Sequence, residues 1–300
     1  MSASSADYVR LVDVGPRDGL QNEAARVPAT VKIELIERLG RAGLPVIEAT
    51  SFVSPKWVPQ MADATEVLGG LKRKPGVAYP VLVPNLQGLE RALEAGADYI
   101  ALFTAASDAF TRKNINCDIA TSLQRLQPVA DQVRGRGLPL RGYVSCVLGC
   151  PYQGEVSVAD VVRVSVALSE MGCSEISLGD TIGVGTPAKA RAMLKAVAAE
   201  VSMARIAVHF HDTRGQALAN IYACLEEGVR SVDASVAGLG GCPYALGASG
   251  NVATEDLVYM LEGLGMETGV DLAALAETGR WMASQLGREP SSKLGRVRTH

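Results

Sequence analysis

The sequence has 300 residues, of which 48% are hydrophobic and 20% charged, with a formal net charge of −3 and a pI of about 5.7. A chain this apolar can bury a large core, so the composition argues against an intrinsically disordered protein. The slight acidic excess without a basic patch argues against nucleic-acid binding, and no apolar run approaches the roughly 18 residues of a membrane span.

Along the chain, short runs rich in β-branched residues alternate with longer stretches whose apolar residues recur at helical spacing. The predicted strands are 9–14, 46–50, 78–83, 99–103, 140–146, 175–178, 206–209 and 231–236. The predicted helices between them include 31–42, 86–95, 119–136, 158–171, 187–201 and 216–227. Glycine follows five of these helices and predicts their C-caps: Gly43, Gly96, Gly137, Gly172 and Gly228.

Eight strands that alternate with helices predict right-handed βαβ units and a parallel sheet. The count and the length favour closure into a (β/α)8 TIM barrel, with an open doubly wound sheet as the alternative. An eighth helix is predicted at 251–265, and a further helical segment at 272–286. No linker divides the chain, so we expect one TIM-barrel domain over residues 1–300, with a C-terminal helical extension over about 268–300.

Six cysteines are too few for a disulfide scaffold, and none forms a C-x2-C pair. We therefore expect a reducing compartment, in which most cysteines are small core residues. Residues 1–6 are short, polar and uncharged, unlike a signal or transit peptide. Residues 298–300 are not a peroxisomal address.

The catalytic groups of a barrel lie at the C-terminal ends of its strands. His209 and His211 end the seventh strand, and residues i and i+2 of a strand point to the same side. With Asp18, which follows the first strand, they form a set of two histidines and one carboxylate that can bind a divalent cation. Asn251 is the further candidate ligand. The oxygen-rich set favours Mg²⁺ or Mn²⁺ over structural zinc, although a non-haem iron site has similar ligands.

Three more residues at or after strand ends are candidates for a role in catalysis, and each of them also has a purely structural interpretation. Arg17 can stabilise an oxyanion or enolate, or it can be a structural arginine paired with Glu48. Cys242 lies in a Gly-rich loop, where a thiol can act as a general acid or base, or can simply pack. Asp180 can orient a ligand imidazole, or it can cap the following helix.

The opening motif at residues 12–23, the segments 50–61, 142–146 and 177–187, and the Gly-rich loop at 236–245 together resemble the hydroxymethylglutaryl-CoA lyase family. The opening motif alone indicates a wider superfamily of metal-dependent aldol and Claisen enzymes, whereas the loop with Cys242 and the pair Gly250-Asn251 is more specific to the lyases. The resemblance runs from about residue 8 to about residue 293.

The resemblance implies a role for each matching position. Arg17 would stabilise the enolate of departing acetyl-CoA, Glu48 would support Arg17 and the substrate, and Cys242 would transfer a proton. Arg17, Gln21 and Asn251 would contact the substrate. The metal ligands would be Asp18, His209, His211 and Asn251. Two departures from the family stand out: the bulky Phe210 between the histidines, which we expect to face away from the metal, and the lack of any cysteine after Cys242.

The resemblance further implies metal-dependent cleavage of (S)-3-hydroxy-3-methylglutaryl-CoA to acetyl-CoA and acetoacetate, a reaction of leucine degradation and ketone-body formation. The alternative is a lyase of the same fold for a longer branched 3-hydroxyglutaryl-CoA. The complete ligand set argues against a non-catalytic binding protein. We expect an acyl-CoA substrate, a homodimer and a cytoplasmic, bacterial location. Lys56, Arg112 and Lys113 either bind the CoA nucleotide or are surface charges.

Overall fold

The computed structural model describes residues 7–241 and 250–297. Within them, nine short strands form one sheet in which every neighbouring pair is parallel. The strands are β1 (Arg10–Asp13), β2 (Val46–Ile47), β3 (Thr50–Ser51), β4 (Val81–Leu82), β5 (Ile100–Ala105), β6 (Leu140–Ser145), β7 (Glu175–Asp180), β8 (Ile206–Phe210) and β9 (Ser231–Ala234).

The sheet is closed, because β2 and β3 are two parts of one barrel strand. β2 pairs with β1, whereas β3 pairs with β4 on the other side. Between them, the backbone N–H of Glu48 donates to the carbonyl of Asp13 (2.9 Å), and that of Ala49 donates to the carbonyl of Pro80 (2.9 Å). Because β2 and β3 count as one, the nine assigned strands correspond to the eight strands of a (β/α)8 barrel. This confirms the predicted TIM-type fold and excludes the open sheet.

Helices surround the barrel in the described part of the chain. Eight lie within a few residues of their predicted bounds, and the short α2, α4 and α11 were not predicted. The glycines predicted as C-caps all have positive φ, between 67° and 102°. The helices are α1 (Ala29–Arg41), α2 (Ala64–Gly70), α3 (Leu86–Glu94), α4 (Asp108–Ile115), α5 (Ile119–Gly135), α6 (Val158–Glu170), α7 (Pro187–Ala198), α8 (Ala217–Glu226), α9 (Thr254–Gly263), α10 (Leu272–Gln285) and α11 (Lys293–Arg296).

The apolar core lies mainly between the barrel and its helices, where Leu, Val, Ile and Ala dominate as the low aromatic content suggested. Part of the barrel interior is instead ionic. Arg141 of β6 is fully buried and pairs with Asp233 of β9 (2.5 Å) and Glu175 of β7 (2.8 Å). An ionic layer therefore lies inside the barrel, where branched aliphatic side chains are usual.

The C-terminal helices pack at the β1–β9 side of the barrel. α10 contacts α1, α9 and the turn Val236–Gly238 that follows β9. The N–H of Ser291 donates to the carbonyl of Ala237 in that turn (2.9 Å). No helix in the described ranges is long and apolar enough to cross a membrane.

We expect Gly43→Ala to destabilise the fold strongly. Gly43 ends α1 with φ of 98°, and a Cβ atom there would lie 2.3 Å from the carbonyl oxygen of Gly269. The left-handed backbone alone costs about 1–2 kcal/mol, and the collision with backbone should bring the loss to about 3 kcal/mol or more. Urea unfolding measures it. Gly137→Ala is the matched control, with φ of 67° and nothing within 4 Å; equal losses in the two variants would contradict the steric argument.

Candidate active site

Side chains from β1 and β8 meet at the carboxyl end of the barrel. The segment after β1 forms a π-helical turn, Gly15–Gly19, that carries Asp18. His209 lies in β8, and His211 follows that strand directly. Asp18, His209 and His211 each offer a ligand atom within 4.8 Å of the others, and the two imidazole centroids are 5.3 Å apart. The structure thus brings together the three residues that the sequence predicted as a metal-binding group.

His209 is oriented by a carboxylate on the neighbouring strand. His209 and Asp233 are register partners across β8 and β9, and Nδ1 of His209 lies 3.3 Å from Oδ2 of Asp233. A metal-binding histidine commonly uses its second ring nitrogen in this way. Because the carboxylate accepts, Nδ1 carries the hydrogen and Nε2 is left with its lone pair. Burial opposes protonation of His209, but the hydrogen bond and the charges of Asp233 and Asp18 outweigh it and raise the pKa.

The hydrogen bonds that the structure describes for Asp180 lead to backbone and not to an imidazole. Asp180 ends β7, and its oxygens accept hydrogen bonds from the backbone N–H groups of Val184 (3.2 Å) and Gly185 (2.8 Å). Its side chain therefore fixes the loop before α7, which is close to the capping alternative. The hydrogen bond to His209 comes from Asp233 instead.

The cluster fits a divalent cation. Nδ1 of His211 is buried and has no hydrogen-bond partner within the described ranges, which is costly for a polar atom unless something else binds there. Burial and the neighbouring His209 lower the pKa of His211 to about 4, so its imidazole is neutral. Burial disfavours ionisation of Asp18, but Arg17 and the two histidines outweigh it and lower the pKa to about 2. One ionised carboxylate and a neutral imidazole beside His209 are a suitable donor set.

Asn251 adjoins the cluster through its amide nitrogen. Its backbone pairs with His211, and its Nδ2 donates to Oδ2 of Asp18 (2.9 Å) and to the carbonyl of Leu239 (3.3 Å). Coordination through the amide oxygen would require the Asn251 side-chain amide to flip, so that its oxygen and nitrogen exchange positions. Phe210, between the two histidines, packs into the main apolar core and so points away from the cluster.

Arg17 is buried beside the cluster and is fixed on three sides. Its Nε pairs with Glu48 (2.7 Å), its Nη1 pairs with Asp18 (2.7 Å), and its guanidinium lies 5.4 Å from the ring centroid of Tyr143. Glu48 is fully buried, and burial raises its pKa despite the pairing with Arg17. The geometry realises both interpretations of Arg17: it is paired with Glu48 and still lines the cavity at the metal cluster.

A cavity of about 1040 Å³ opens over the cluster. Gln21 lines it, and Oε1 of Gln21 is buried and has no hydrogen-bond partner among the residues that the structure describes, so this oxygen can accept from a bound molecule. Lys113 and Arg125 are exposed residues that also line the cavity. Lys56 and Arg112 are not among its lining residues; Arg112 faces Asp118 at 3.8 Å. Of the three basic residues suggested for CoA, the cavity therefore includes Lys113.

Cys242 lies outside the described residues, in the interval between Gly241 and Gly250. The segment that leads to it leaves β9 through the turn Val236–Gly238, where Ala237 has φ of 58°. A non-glycine residue in this region is uncommon and costs backbone strain. Gly241, the last described residue before Cys242, lines the cavity.

Reasoning from the sequence missed Asp233, Arg141 and Tyr143. The phenolic oxygen of Tyr143 accepts from Arg141 (3.1 Å), and the Tyr143 ring underlies Arg17. A signal was present for the first two, since Arg141 and Asp233 are charges inside strands that were predicted to be buried. Charged side chains are rarely buried unless they are paired, so each indicated the presence of a partner.

The fold and the site define an α/β-barrel protein with a candidate divalent-metal centre at the carboxyl ends of its strands. The family model described as HMGL-like matches residues 8–282, and the chain belongs to that family. It is 60% identical to the mitochondrial hydroxymethylglutaryl-CoA lyase of Gallus gallus, over 96% of this chain and 97% of that protein.

Solved structures agree with this membership. The hydroxymethylglutaryl-CoA lyase of Pseudomonas aeruginosa superposes with a TM-score of 0.95 at 55% identity, over 97% of each chain. An HMG-CoA lyase of Acinetobacter baumannii, solved in complex with coenzyme A and 3-methylmalate, has a TM-score of 0.94 at 37% identity, over 99% of each chain. These likenesses confirm the family resemblance of the sequence.

The comparisons correct the expected location. Similar curated proteins are named mitochondrial in chicken, rat and cattle, and cytoplasmic in Danio rerio. Proteins this similar to the chain occur in vertebrates and in two compartments, so the expectation of a cytoplasmic, bacterial protein does not stand.

We expect Mn²⁺ binding to depend on a single proton from about pH 5, above the pKa of His211, up to the raised pKa of His209. His209 must lose its proton to act as a ligand, whereas His211 and Asp18 are already deprotonated in this range. Below the raised pKa of His209, the Kd should rise about tenfold for each unit of pH that is lost, and above that pKa it should level off. Isothermal titration calorimetry at several pH values measures this. A dependence on two protons would contradict the neutral state of His211.

Proposed function

We propose that this chain is a hydroxymethylglutaryl-CoA lyase, a carbon–carbon lyase that cleaves (S)-3-hydroxy-3-methylglutaryl-CoA to acetyl-CoA and acetoacetate. The observation that carries the proposal is the position of Arg17. A buried, fixed guanidinium shares one cavity with the Asp18–His209–His211 cluster. The reaction needs such a pair of features, because one substrate oxygen must lose a proton while another gains negative charge.

Asp18, His209 and His211 would hold a divalent cation, with Asn251 as a fourth ligand if its amide turns over. When bound, the cation would draw charge from the substrate oxygens and make the tertiary hydroxyl easier to deprotonate. We propose Mg²⁺ or Mn²⁺ because the set combines carboxylate and amide oxygens with imidazole and has no thiolate among its described members.

Arg17 is suited to stabilise the enolate of acetyl-CoA. Cleavage of the C2–C3 bond sends an electron pair toward the thioester carbonyl, where negative charge develops. A cation that is already oriented loses little on meeting that charge, and burial strengthens the interaction. The bonds from Glu48 and Asp18 supply that orientation. Gln21 also lines the cavity, its Oε1 has no partner within residues 7–241 and 250–297, and we propose it as a substrate contact.

Two proton transfers complete the reaction. The hydroxyl proton passes to a base at the cluster, for which Asp18 is the candidate. A carboxylate that binds the cation through one oxygen keeps a second oxygen as an acceptor, whereas His209 as a ligand would have Nδ1 bonded to Asp233 and Nε2 on the cation. The enolate carbon then takes a proton. We propose Cys242 as the donor of this proton because it lies in the Gly-rich loop, where a thiol can act as a general acid. The products are acetyl-CoA and a 3-keto acid.

The outer part of the cavity is proposed to bind the CoA portion of the substrate. The exposed lining residues Lys113 and Arg125 supply positive charge, and the largely exposed Trp57, which also lines the cavity, supplies an aromatic ring. Phosphates and an adenine ring are ligands that such groups bind. The relative solved with coenzyme A supports this use of the fold.

We further propose that the chain is a single catalytic domain with a C-terminal helical extension over about 268–300. A homodimer is proposed as its assembly, since two-fold symmetric dimers are the commonest oligomers.

The direct test is acetyl-CoA release from (S)-3-hydroxy-3-methylglutaryl-CoA by purified protein, with Mg²⁺ or Mn²⁺ and with a chelator. We expect release with metal and its loss with the chelator, restored by excess metal. His211→Ala should lose metal content as well as activity, which elemental analysis checks. Release that persists in the chelator would refute the metal centre, and cleavage only of a longer acyl substrate would favour the alternative lyase.

Cys242→Ala should reduce kcat by about 10²-fold to 10⁴-fold, because a positioned general acid contributes that much. Mn²⁺ affinity should not change, because the thiol is not in the proposed ligand set. Cys224→Ala is the matched control, since Cys224 lies in α8 within the main apolar core, is not among the described residues that line the cavity, and should keep full activity. A Cys242→Ala enzyme with unchanged kcat would remove this residue from the mechanism.

A further inference from the structure

Asp13 is a fully buried carboxylate that the mechanism does not use. It is the last residue of β1, and it is not among the described residues that line the cavity. No Lys, Arg or His in the described ranges forms an ion pair with it. A buried carboxylate without a cation is costly, so its position requires an explanation.

Three hydrogen bonds surround this carboxylate, and they come from three separate segments. The N–H of Gly15 donates to Oδ1 (2.9 Å). The N–H of Val236 (3.0 Å) and the hydroxyl of Thr254 (2.7 Å) both donate to Oδ2. Burial raises the pKa of Asp13 to about 7, although these donors lower it.

Each of the three segments leads to a residue of the proposed active site. Gly15 opens the turn that carries Arg17 and Asp18. Thr254 begins α9, three residues after Asn251. Val236 begins the turn Val236–Gly238 after β9, and Leu239 follows that turn directly. The carbonyl of Leu239 accepts a hydrogen bond from the Asn251 side-chain amide (3.3 Å).

Asp13 also contributes through its backbone, because its carbonyl accepts from the N–H of Glu48 (2.9 Å), the partner of Arg17. The fit is close: a Cβ atom on Gly15 would lie 2.8 Å from Oδ1 of Asp13, so the turn approaches the carboxylate as closely as glycine permits.

We propose that Asp13 is a positioning residue that fixes Asp18 and Arg17 relative to Asn251. A carboxylate suits this task because both of its oxygens accept, so it can hold donors on both sides at once. The inference rests on the proposed function, since the geometry that Asp13 sets is that of the metal centre and of Arg17. Asp13 lies behind the strand end and acts without touching the substrate.

Asp13→Asn tests the proposal, because an amide accepts on one side only. If its oxygen serves Val236 and Thr254, its NH₂ group faces the N–H of Gly15, and the turn with Asp18 must shift. We expect the Kd for Mn²⁺, measured by calorimetry with the metal alone, to rise about 10-fold to 100-fold, as for residues that orient metal ligands. In the lyase assay kcat should fall by about 10²-fold, because misplacement of Arg17 disturbs the reacting geometry more than it disturbs binding.

Glu255→Gln is the matched control. Glu255 is also a fully buried carboxylate with a raised pKa of about 8, caused by burial, and it accepts from the N–H of Ala237, the residue next to Val236 (2.9 Å). It makes no hydrogen bond to the Gly15–Gly19 turn, and a glutamine can still accept from Ala237. Thermal unfolding is measured for both variants, and Glu255→Gln should leave the Kd for Mn²⁺ unchanged even if it unfolds more easily.

The outcomes distinguish a failure of the proposed metal centre from a failure of the role proposed for Asp13. Wild-type protein that binds no Mn²⁺ would refute the metal centre of the proposed function. Wild-type binding with equal affinity in Asp13→Asn, or with an equal loss in Glu255→Gln, would refute the role of Asp13 alone. If Asp13→Asn fails to fold, Thr254→Val removes one donor and should raise the Kd by about fivefold, the effect of one hydrogen bond; no change would overturn the proposal.

Discussion

The Asp233 carboxylate inside the barrel determines much of the site's electrostatics. Its Oδ1 binds Arg141, and its Oδ2 accepts from Ser177 and His209. Burial alone would favour the neutral acid, but Arg141 and His209 outweigh it and lower the pKa of Asp233 to about 2. An ionised acceptor at this point fixes which nitrogen of His209 carries the hydrogen, and with it the lone pair offered to a metal.

This interaction is one part of a longer ionic series through the barrel. Arg10 pairs with Glu175 at the amino end, Glu175 with Arg141, and Arg141 with Asp233. Buried ion pairs stabilise a fold weakly or not at all, whereas removal of one partner costs about 3–5 kcal/mol. The stability of the protein therefore comes mainly from the apolar layer between the barrel and its helices, and the ionic series specifies where the charges of the site lie.

The barrel could be predicted from the sequence because its signals are local: periodic apolar residues, glycine caps and strand-end motifs. Short elements were missed for physical reasons. α2 ends on Gly69 and Gly70, which favour helix poorly, and α4 is polar over most of its surface. β4 is reduced to two residues between Pro80 and Pro84, which lack the N–H that a strand donates.

The site was predictable where one strand or turn supplies the pattern, as with His209 and His211. It was not predictable where the partner is distant in sequence. Asp233 and Arg141 are separated by 92 positions, and neither strand reveals that the other is its neighbour. The two roles considered for Asp180 stayed open for the same reason, since both Asp180 and Asp233 lie in strands next to β8 and only the register distinguishes them.

The inner and outer ends of the cavity are formed by different kinds of structure. Strands, buried ion pairs and backbone hydrogen bonds hold the inner end, whereas the exposed outer part includes loop residues such as Ser54, Trp57 and Asn116 beside the helix residues Lys113 and Arg125. Changes in the length or composition of those loops can alter the acyl chain or head group that is accepted without displacing the reacting groups. Substrate range and chemistry can therefore diverge independently, which gives this architecture a simple route to new specificities within one reaction class.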